Sequence, residues 1–107
     1  MSIRVPLDHV GAELADRPLV YLATTDGTQV KVAQVSPRVV GTQVHVVVGP
    51  GTLRNVADHP VVTLVAPPPV HGDQSFTLLV DGVVHRVDGT TVVIEAGAAV
   101  MHRQAPA

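Results

Sequence analysis

The sequence predicts an all-β fold, a six-stranded antiparallel β-barrel with two short helices, formed as one domain over residues 1–107. Three observations lead to this prediction. Valine supplies 24 of the 107 residues, and its stiff β-branched side chain suits a pleated sheet better than a helix. Asp-Gly pairs, which favour tight turns between strands, occur at 26–27, 81–82 and 88–89. The segments between such turns are apolar or alternating and have the length of strands.

The elements can be placed in order along the chain. An amphipathic helix is predicted over residues 6–16, because Leu7, Val10 and Leu14 recur at helical spacing and Pro18 ends the pattern. A turn over residues 37–42 separates the second strand from the third. The strands are predicted at residues 19–24, 29–36, 44–48, 61–65, 75–87 and 91–95, and the second helix at 52–59.

Several segments connect or flank these elements. Pro67-Pro68-Pro69 forbids both a helix and a central strand and begins an exposed connector that extends to about Gly72. Asp81-Gly82 is either a hairpin turn or a bulge within one bent strand, and the bulge is favoured. Residues 1–5 and 104–107 are expected to be loose termini.

The composition excludes several classes of function. The net charge is −2 and the seven basic residues are scattered, so the positive surface that nucleic-acid binding needs is missing. Cysteine is absent, which excludes disulfides and agrees with a reducing cytosol. No run of apolar residues has the length of a membrane span, about 20 residues, and the N-terminus lacks the apolar core of a signal sequence. We therefore expect a cytoplasmic protein that contacts neither membranes nor nucleic acid.

The stretch from Val44 to Ala66 is the most informative part of the chain. A β-branched run meets Gly49-Pro50-Gly51, a short polar helix follows, and Pro60 precedes a new strand. The first N–H groups of a helix have no partner within it and carry partial positive charge, so this geometry suits a phosphate. The alternative is that the glycines serve only the shape of the turn. A dinucleotide fingerprint is excluded, since Arg54 stands where its third glycine is needed.

The charged and polar residues near this turn have two interpretations each. Arg54 either reaches a phosphate or lies solvated on an exposed helix face. Asn55 caps or braces the neighbouring loop. Lys31 either neutralises the negative charge of a cofactor or lies on the outer face of its strand.

No metal site or catalytic nucleophile is predicted. The six histidines lack the H-x-H or H-x-x-x-H spacing of metal ligands and have no carboxylate partner at such spacing. Ser36 and Ser75 lack the elbow motif or a local base. A flavin enzyme needs no such nucleophile, because its cofactor carries out the hydride transfer. The catalytic residues stay unassigned.

The order of elements resembles the pyridoxamine-phosphate-oxidase-like split β-barrels. The residues that carry the resemblance are Arg54 to Leu64, RNVADHPVVTL, and Ala99 to Arg103, AVMHR, the latter similar to the end of small actinobacterial-type members. The resemblance covers about residues 7–103. It implies a homodimer with FMN or a deazaflavin bound at the subunit interface. A Val-rich barrel of this size also leaves apolar surface that a twofold-related partner would cover.

The resemblance also implies which residues contact the cofactor. The strand Lys31 to Val35 would run along the flavin ring, through Val32, Ala33 and Gln34. The basic pair that members of the family place before the short helix, for the flavin phosphate, is replaced here by Gly51 and Thr52.

Other groups of the same turn are expected to take over from this basic pair. These are the Thr52 hydroxyl, the backbone N–H groups of Leu53 and Arg54, and the Arg54 side chain, with Asn55 beside them. Pyridoxamine-phosphate oxidase activity itself is not expected, because the C-terminal basic and aromatic substrate elements are not recognisable.

Two hypotheses on function follow from the sequence. The first is a flavin- or deazaflavin-binding oxidoreductase-like protein with its small-molecule cofactor at the homodimer interface. The second is a cofactor-free dimeric split barrel that acts as a binding or structural protein without redox activity. The missing basic pair, the near absence of aromatic residues and the short chain favour the second hypothesis.

Overall fold

The computed structural model describes residues 2–68 and 76–103 and confirms the all-β fold with two short helices. The two helices lie between strands, and a 3₁₀ turn at Leu7–His9 precedes the first of them. The helices are α1 (Val10–Ala15) and α2 (Pro50–Asp58). The strands are β1 (Ser2–Arg4), β2 (Val20–Thr25), β3 (Val30–Val35), β4 (Arg38–Val40), β5 (Gln43–Val47), β6 (Val61–Ala66), β7 (Phe76–Asp88) and β8 (Thr91–Arg103).

All the strands join one curled antiparallel sheet in the order β3-β2-β6-β7-β8-β5-β4, with β1 added on β8. The two edge strands, β3 and β4, follow each other in the chain and are joined by Ser36 and Pro37. The ring is thus completed by a covalent link and not by a hydrogen-bonded ladder. This is the geometry of a half-open barrel with a free edge along β3.

The core lies inside the curl and consists of small aliphatic side chains, as the composition predicts. Leu22, Leu64, Leu78 and Ile94 are among its largest fully buried members. One face of each helix covers the core: α1 buries Val10 and Leu14, and α2 buries Thr52 and Val56. Burial of apolar surface on this scale is the main stabilising contribution to such a fold.

The prediction that the strand continues through Asp81-Gly82 without a turn is confirmed, and a bulge lies at this point. Its extra residue is Gly97 on β8, since Asp81 pairs with Ala98 and Gly82 with Ala96. The β7–β8 register shifts between Asp81 and Gly82, and β7 continues without a turn to Asp88. A Cβ at Gly82 would lie 2.6 Å from Ile94 Cγ2 and 2.7 Å from the Glu95 backbone oxygen. The two strands therefore approach closely at this position because residue 82 has no side chain.

The structure corrects the predicted number of strands and some of their bounds. There are eight strands in the described residues, because β1 and β4 are added to the six that were predicted. Each has three residues, too few to show an apolar period, and each forms by pairing with a longer strand. Residues 2–4 are thus not loose, and β4 lies within the predicted turn. The last strand continues beyond Glu95 to Arg103, because β7 pairs with it along its whole length. Residues 104–107 and most of the predicted proline-rich connector lie outside the described residues.

Candidate functional site

A cleft of about 580 Å³ lies between α2 and the hairpin that joins β2 to β3. We call it the α2 cleft. The hairpin and the start of β3 form one wall, and the exposed face of α2 forms the other. Its lining residues are Asp26, Gln29, Val30, Lys31, Gly51, Arg54, Asn55, Asp58 and His59. Four of the nine residues that the sequence and the resemblance suggested are among them.

The local sequence of α2 explains why its polar side faces the cleft. Four of the lining residues recur at helical spacing: Arg54, Asn55 and Asp58 follow Gly51 after three, four and seven residues. This spacing places all four on one face of the helix. Thr52, on the opposite face, is buried. The helix begins after Gly49 with Pro50 at its first position, where the missing N–H of proline causes no loss.

Two cationic side chains meet above the first turn of α2. Lys31 Nζ occupies the space that a Cβ at Gly51 would need, and Arg54 Nη2 is 3.7 Å from the same point. Lys31 arrives from β3 and is paired with Thr24, so its side chain is on the inner face of the sheet, toward the helix. Neither Lys31 nor Arg54 forms a salt bridge with a carboxylate in the described part of the chain.

At this end of α2, the backbone N–H groups without a hydrogen-bond partner among the described residues are those of Gly51 and Thr52. Pro50 has no N–H, and the Leu53 N–H donates to the Gly49 backbone oxygen at 3.1 Å. The Arg54 N–H lies one residue further along the helix, where the backbone oxygen of Pro50 is the regular helical acceptor. The Leu53 N–H is thus already engaged within the helix, and phosphate binding by the N–H groups of Leu53 and Arg54 stays a prediction.

Asn55 braces the two walls of the cleft. Its amide Nδ2 donates to the Thr24 hydroxyl on β2 at 3.1 Å, in a partly buried contact. This partner lies on a strand and not on the neighbouring loop, so the capping or bracing of that loop stays a prediction. This bond connects α2 to β2 at Thr24, the sheet partner of Lys31.

The other end of the cleft carries acidic and imidazole groups. Asp26 accepts hydrogen bonds from the backbone N–H groups of Gln29 and Thr28, at 2.7 and 2.8 Å. These bonds, Gln29 first, lower the pKa of Asp26 below its ordinary value, with a smaller contribution from the charge of His59. Asp58 lies at the C-terminal end of α2. The cleft is therefore polarised, with cations at the start of α2 and carboxylates at its end.

Sequence reasoning missed this second end of the cleft. The signal was present in two places: Asp58 falls on the same helical face as Gly51 and Arg54, and Asp26 belongs to the Asp-Gly turn. The contact between His59 and the turn carries no sequence signal. His59 Nε2 is 3.0 Å from the position that a Cβ at Gly27 would take, and only the folded chain brings these residues together.

The remaining predicted residues do not line the cleft. Thr52 is 2 % exposed and faces the core, so its hydroxyl does not replace the expected basic pair. Leu53 packs against the core. Val32 and Gln34 lie on the outer face of the sheet, because their partners on β2 are Ala23 and Tyr21.

Ala33 is the exception among the predicted ring contacts. It pairs with Leu22 and shares the inner face with Lys31. The side chains of Val32, Ala33 and Gln34 therefore do not line one surface together, since consecutive residues of a strand point to opposite faces.

Among residues 2–68 and 76–103, no group of three or more His, Asp or Glu side chains is arranged to hold a metal ion. Within the same residues, no helix has the length and apolarity needed to cross a membrane. Comparisons with protein-family models, curated proteins and solved structures gave no significant match.

Proposed function

We propose that this chain binds a phosphate-bearing flavin-type cofactor, FMN or a deazaflavin, in the α2 cleft and acts as an oxidoreductase-like protein. One observation carries the proposal: Lys31 and Arg54 converge on the open N-terminus of α2 without a carboxylate partner in the described residues. The bound cofactor would supply the hydride-transfer chemistry. The protein would bind, orient and shield it.

The charge pattern of the cleft supports a phosphate at Gly51. Two cations held close together repel each other, and the positive end of a helix adds to this repulsion. The first turn of α2 contains no acidic residue that would offset it. An anion seated between Lys31 and Arg54 would accept hydrogen bonds from both side chains and from the N–H groups of Gly51 and Thr52. The carboxylates of Asp26 and Asp58 would repel a phosphate from the other end and so orient the ligand.

The free edge of β3 supports a planar ring beside the phosphate. Of the described strands, only β2 pairs with β3, so alternate N–H and C=O groups of β3 point outward without a partner in the sheet. A flavin ring carries donors and acceptors along its pyrimidine edge that match such groups. We therefore assign the proposed ring contacts along Val32 to Gln34 to the outward backbone groups of alternate residues in this segment, with Ala33 adding a small side chain on the Lys31 face.

A second copy of the chain would complete the site. Val30, Val32, Val61 and Val83 are 72, 61, 68 and 50 % exposed. We call these four side chains the outer valine face, because the β2–β3, β2–β6 and β6–β7 registers place them on one side of the sheet. Val30 also borders the cleft. A homodimer formed through this face would remove apolar surface from water and add a wall to the cofactor site. We also propose a cytoplasmic location, in keeping with the absence of cysteine.

The direct test is a titration of the purified protein with FMN and with the deazaflavin cofactor, followed by fluorescence quenching. The variants are Lys31→Met and Arg54→Gln, and the matched control is Arg4→Gln on an exposed strand. Loss of one charge-assisted hydrogen bond is expected to weaken binding by about tenfold for each site variant and to leave the control unchanged. Equal affinity in all four proteins would place the phosphate elsewhere.

A cofactor-free binding or structural barrel is the second candidate, and one observation favours it. The chain has one Tyr and one Phe, and neither Tyr21 nor Phe76 lines the cleft, so the cleft offers no phenyl, phenol or indole ring to stack on a flavin. If neither cofactor binds at millimolar concentration, this second function replaces the first.

A further inference from the structure

Gly51 stands at a position where nothing in the backbone requires glycine. It lies in the first turn of α2, and glycine is among the weakest helix formers. The glycines with positive φ among the described residues are Gly27, Gly41 and Gly89. The reason for glycine at position 51 must therefore be found in the space around it.

That space is filled by a side chain from another element. The Lys31 ammonium occupies the place of the missing Cβ, with Lys31 Cε 3.6 Å away and Arg54 Nη2 3.7 Å away. Gly49, two residues earlier, differs in this respect, since no atom of the described residues lies within 4 Å of the Cβ position there. The two glycines of the Gly-Pro-Gly turn thus have different surroundings, and only the second one adjoins a charged group.

We infer that Gly51 is a positioning residue, which gives the Lys31 ammonium its place on the open N-terminus of α2. The helix contributes a gap and two free N–H groups, and β3 contributes the cation. Any side chain at position 51 displaces the ammonium from this place. Because the group that must move is the end of a flexible side chain, the displacement costs the fold little and reduces the affinity of the site for phosphate. The identity of the bound group in this inference, a phosphate, rests on the proposed function.

A double-mutant cycle on cofactor affinity tests this inference. The proteins are the wild type, Gly51→Ala, Lys31→Met and the double variant, with Gly49→Ala as the matched control. We expect Gly51→Ala to weaken FMN or deazaflavin binding about five- to tenfold, with the melting temperature unchanged or raised. In the Lys31→Met background the same substitution is expected to change affinity by less than about twofold, since coupled residues are not additive. Gly49→Ala keeps wild-type affinity.

Additive effects of the two substitutions would overturn the inference, because Gly51 would then act without Lys31. Wild-type affinity in Gly51→Ala would overturn it as well. In both cases the proposed function would stand, since the wild type still binds cofactor. A lowered melting temperature of Gly51→Ala would also count against the inference, because it would indicate a structural role.

A measurement made without ligand separates the proposed function from the positioning role of Gly51. Lys31 is the only lysine of the chain, so labelling with ¹³C,¹⁵N-lysine gives one set of side-chain resonances. A nuclear Overhauser effect between its ε-methylene and the Gly51 α-protons is expected in the wild type, and a changed ε-resonance in Gly51→Ala. If this contact is present but no cofactor binds, the proposed function fails and the positioning role is retained. If the contact is absent in the wild type, the positioning role is refuted.

Discussion

Replacement of Arg17 by methionine is expected to destabilise the fold substantially. The Arg17 side chain is 9 % exposed, and its Nη1 donates to three backbone oxygens, those of Ala66, Pro67 and Phe76, at 3.0, 3.1 and 2.7 Å. Ala66 ends β6, Pro67 follows it, and Phe76 begins β7. Arg17, two residues after the end of α1, thus connects this segment to two strands that are distant in sequence.

The size of the effect follows from these contacts. The bonds to Ala66 and Phe76 are buried, and each buried acceptor left without a donor costs about 1–3 kcal/mol. Burial of the guanidinium opposes this, and the same desolvation lowers the pKa of Arg17 below its ordinary value. Methionine keeps much of the side-chain volume. We therefore expect Arg17→Met to lower the free energy of unfolding by about 2–4 kcal/mol.

Urea unfolding followed by circular dichroism measures this loss, with Arg4→Met as the control. Arg4 is exposed on β1, so its replacement is expected to change the free energy of unfolding by less than about 0.5 kcal/mol. Arg17→Lys keeps the charge but loses the planar guanidinium donor group. Its loss of unfolding free energy is expected to lie between those of Arg17→Met and Arg4→Met. A loss for Arg17→Met no larger than that of the control would refute the reasoning.

Four further predictions concern the bulge, the cleft and the dimer. Gly82→Ala is expected to lower the free energy of unfolding in urea by about 1–3 kcal/mol, because its Cβ meets the neighbouring strand. The control Gly97→Ala, whose Cβ has only an ordinary 3.8 Å contact, is expected to cost less than about 1 kcal/mol. Asn55→Ala is expected to cost about 1 kcal/mol in the same assay and to weaken cofactor binding, because it loses the bond to β2. Asp26→Asn is expected to destabilise at pH 7. Since the folded-state pKa lies below 3.8, this stabilisation is present above that value and is lost as pH falls through the folded-state pKa. Val61→Lys is expected to reduce self-association in sedimentation equilibrium, because it places a charge on the outer valine face.

Each of these has a contradicting outcome. Equal stability of the two alanine variants would mean that the strands separate freely at the bulge. A difference in stability between wild type and Asp26→Asn that does not shrink as the pH falls into the acid range would exclude the carboxylate as its source. Val47→Lys, at a position that is 67 % exposed on β5, is the control for the dimer, and an equal effect there would argue against the outer valine face. Cofactor affinity unchanged in Asn55→Ala would show that bracing does not matter for binding.

The sequence by itself determined the fold class, the approximate positions of the six longer strands and the irregularity at Asp81-Gly82, but not the full length of the last strand. These follow from local rules: valine favours strands, Asp-Gly pairs favour turns, and glycine in a strand favours a bulge. The polar face of α2 was also readable, since Gly51, Arg54 and Asp58 recur at helical spacing. Local patterns suffice here because each reflects the conformation of neighbouring residues.

The tertiary structure alone decided which groups meet. Lys31 and Gly51 are 20 residues apart, and their contact depends on the sheet register that turns Lys31 toward the helix. Thr52 was assigned to the site by its place in the chain, yet the orientation of α2 on the core buries it. The strands β1 and β4 have too few residues for a pattern and form because a longer partner offers free backbone groups. Such outcomes depend on packing between distant segments, and no local property of the chain encodes them.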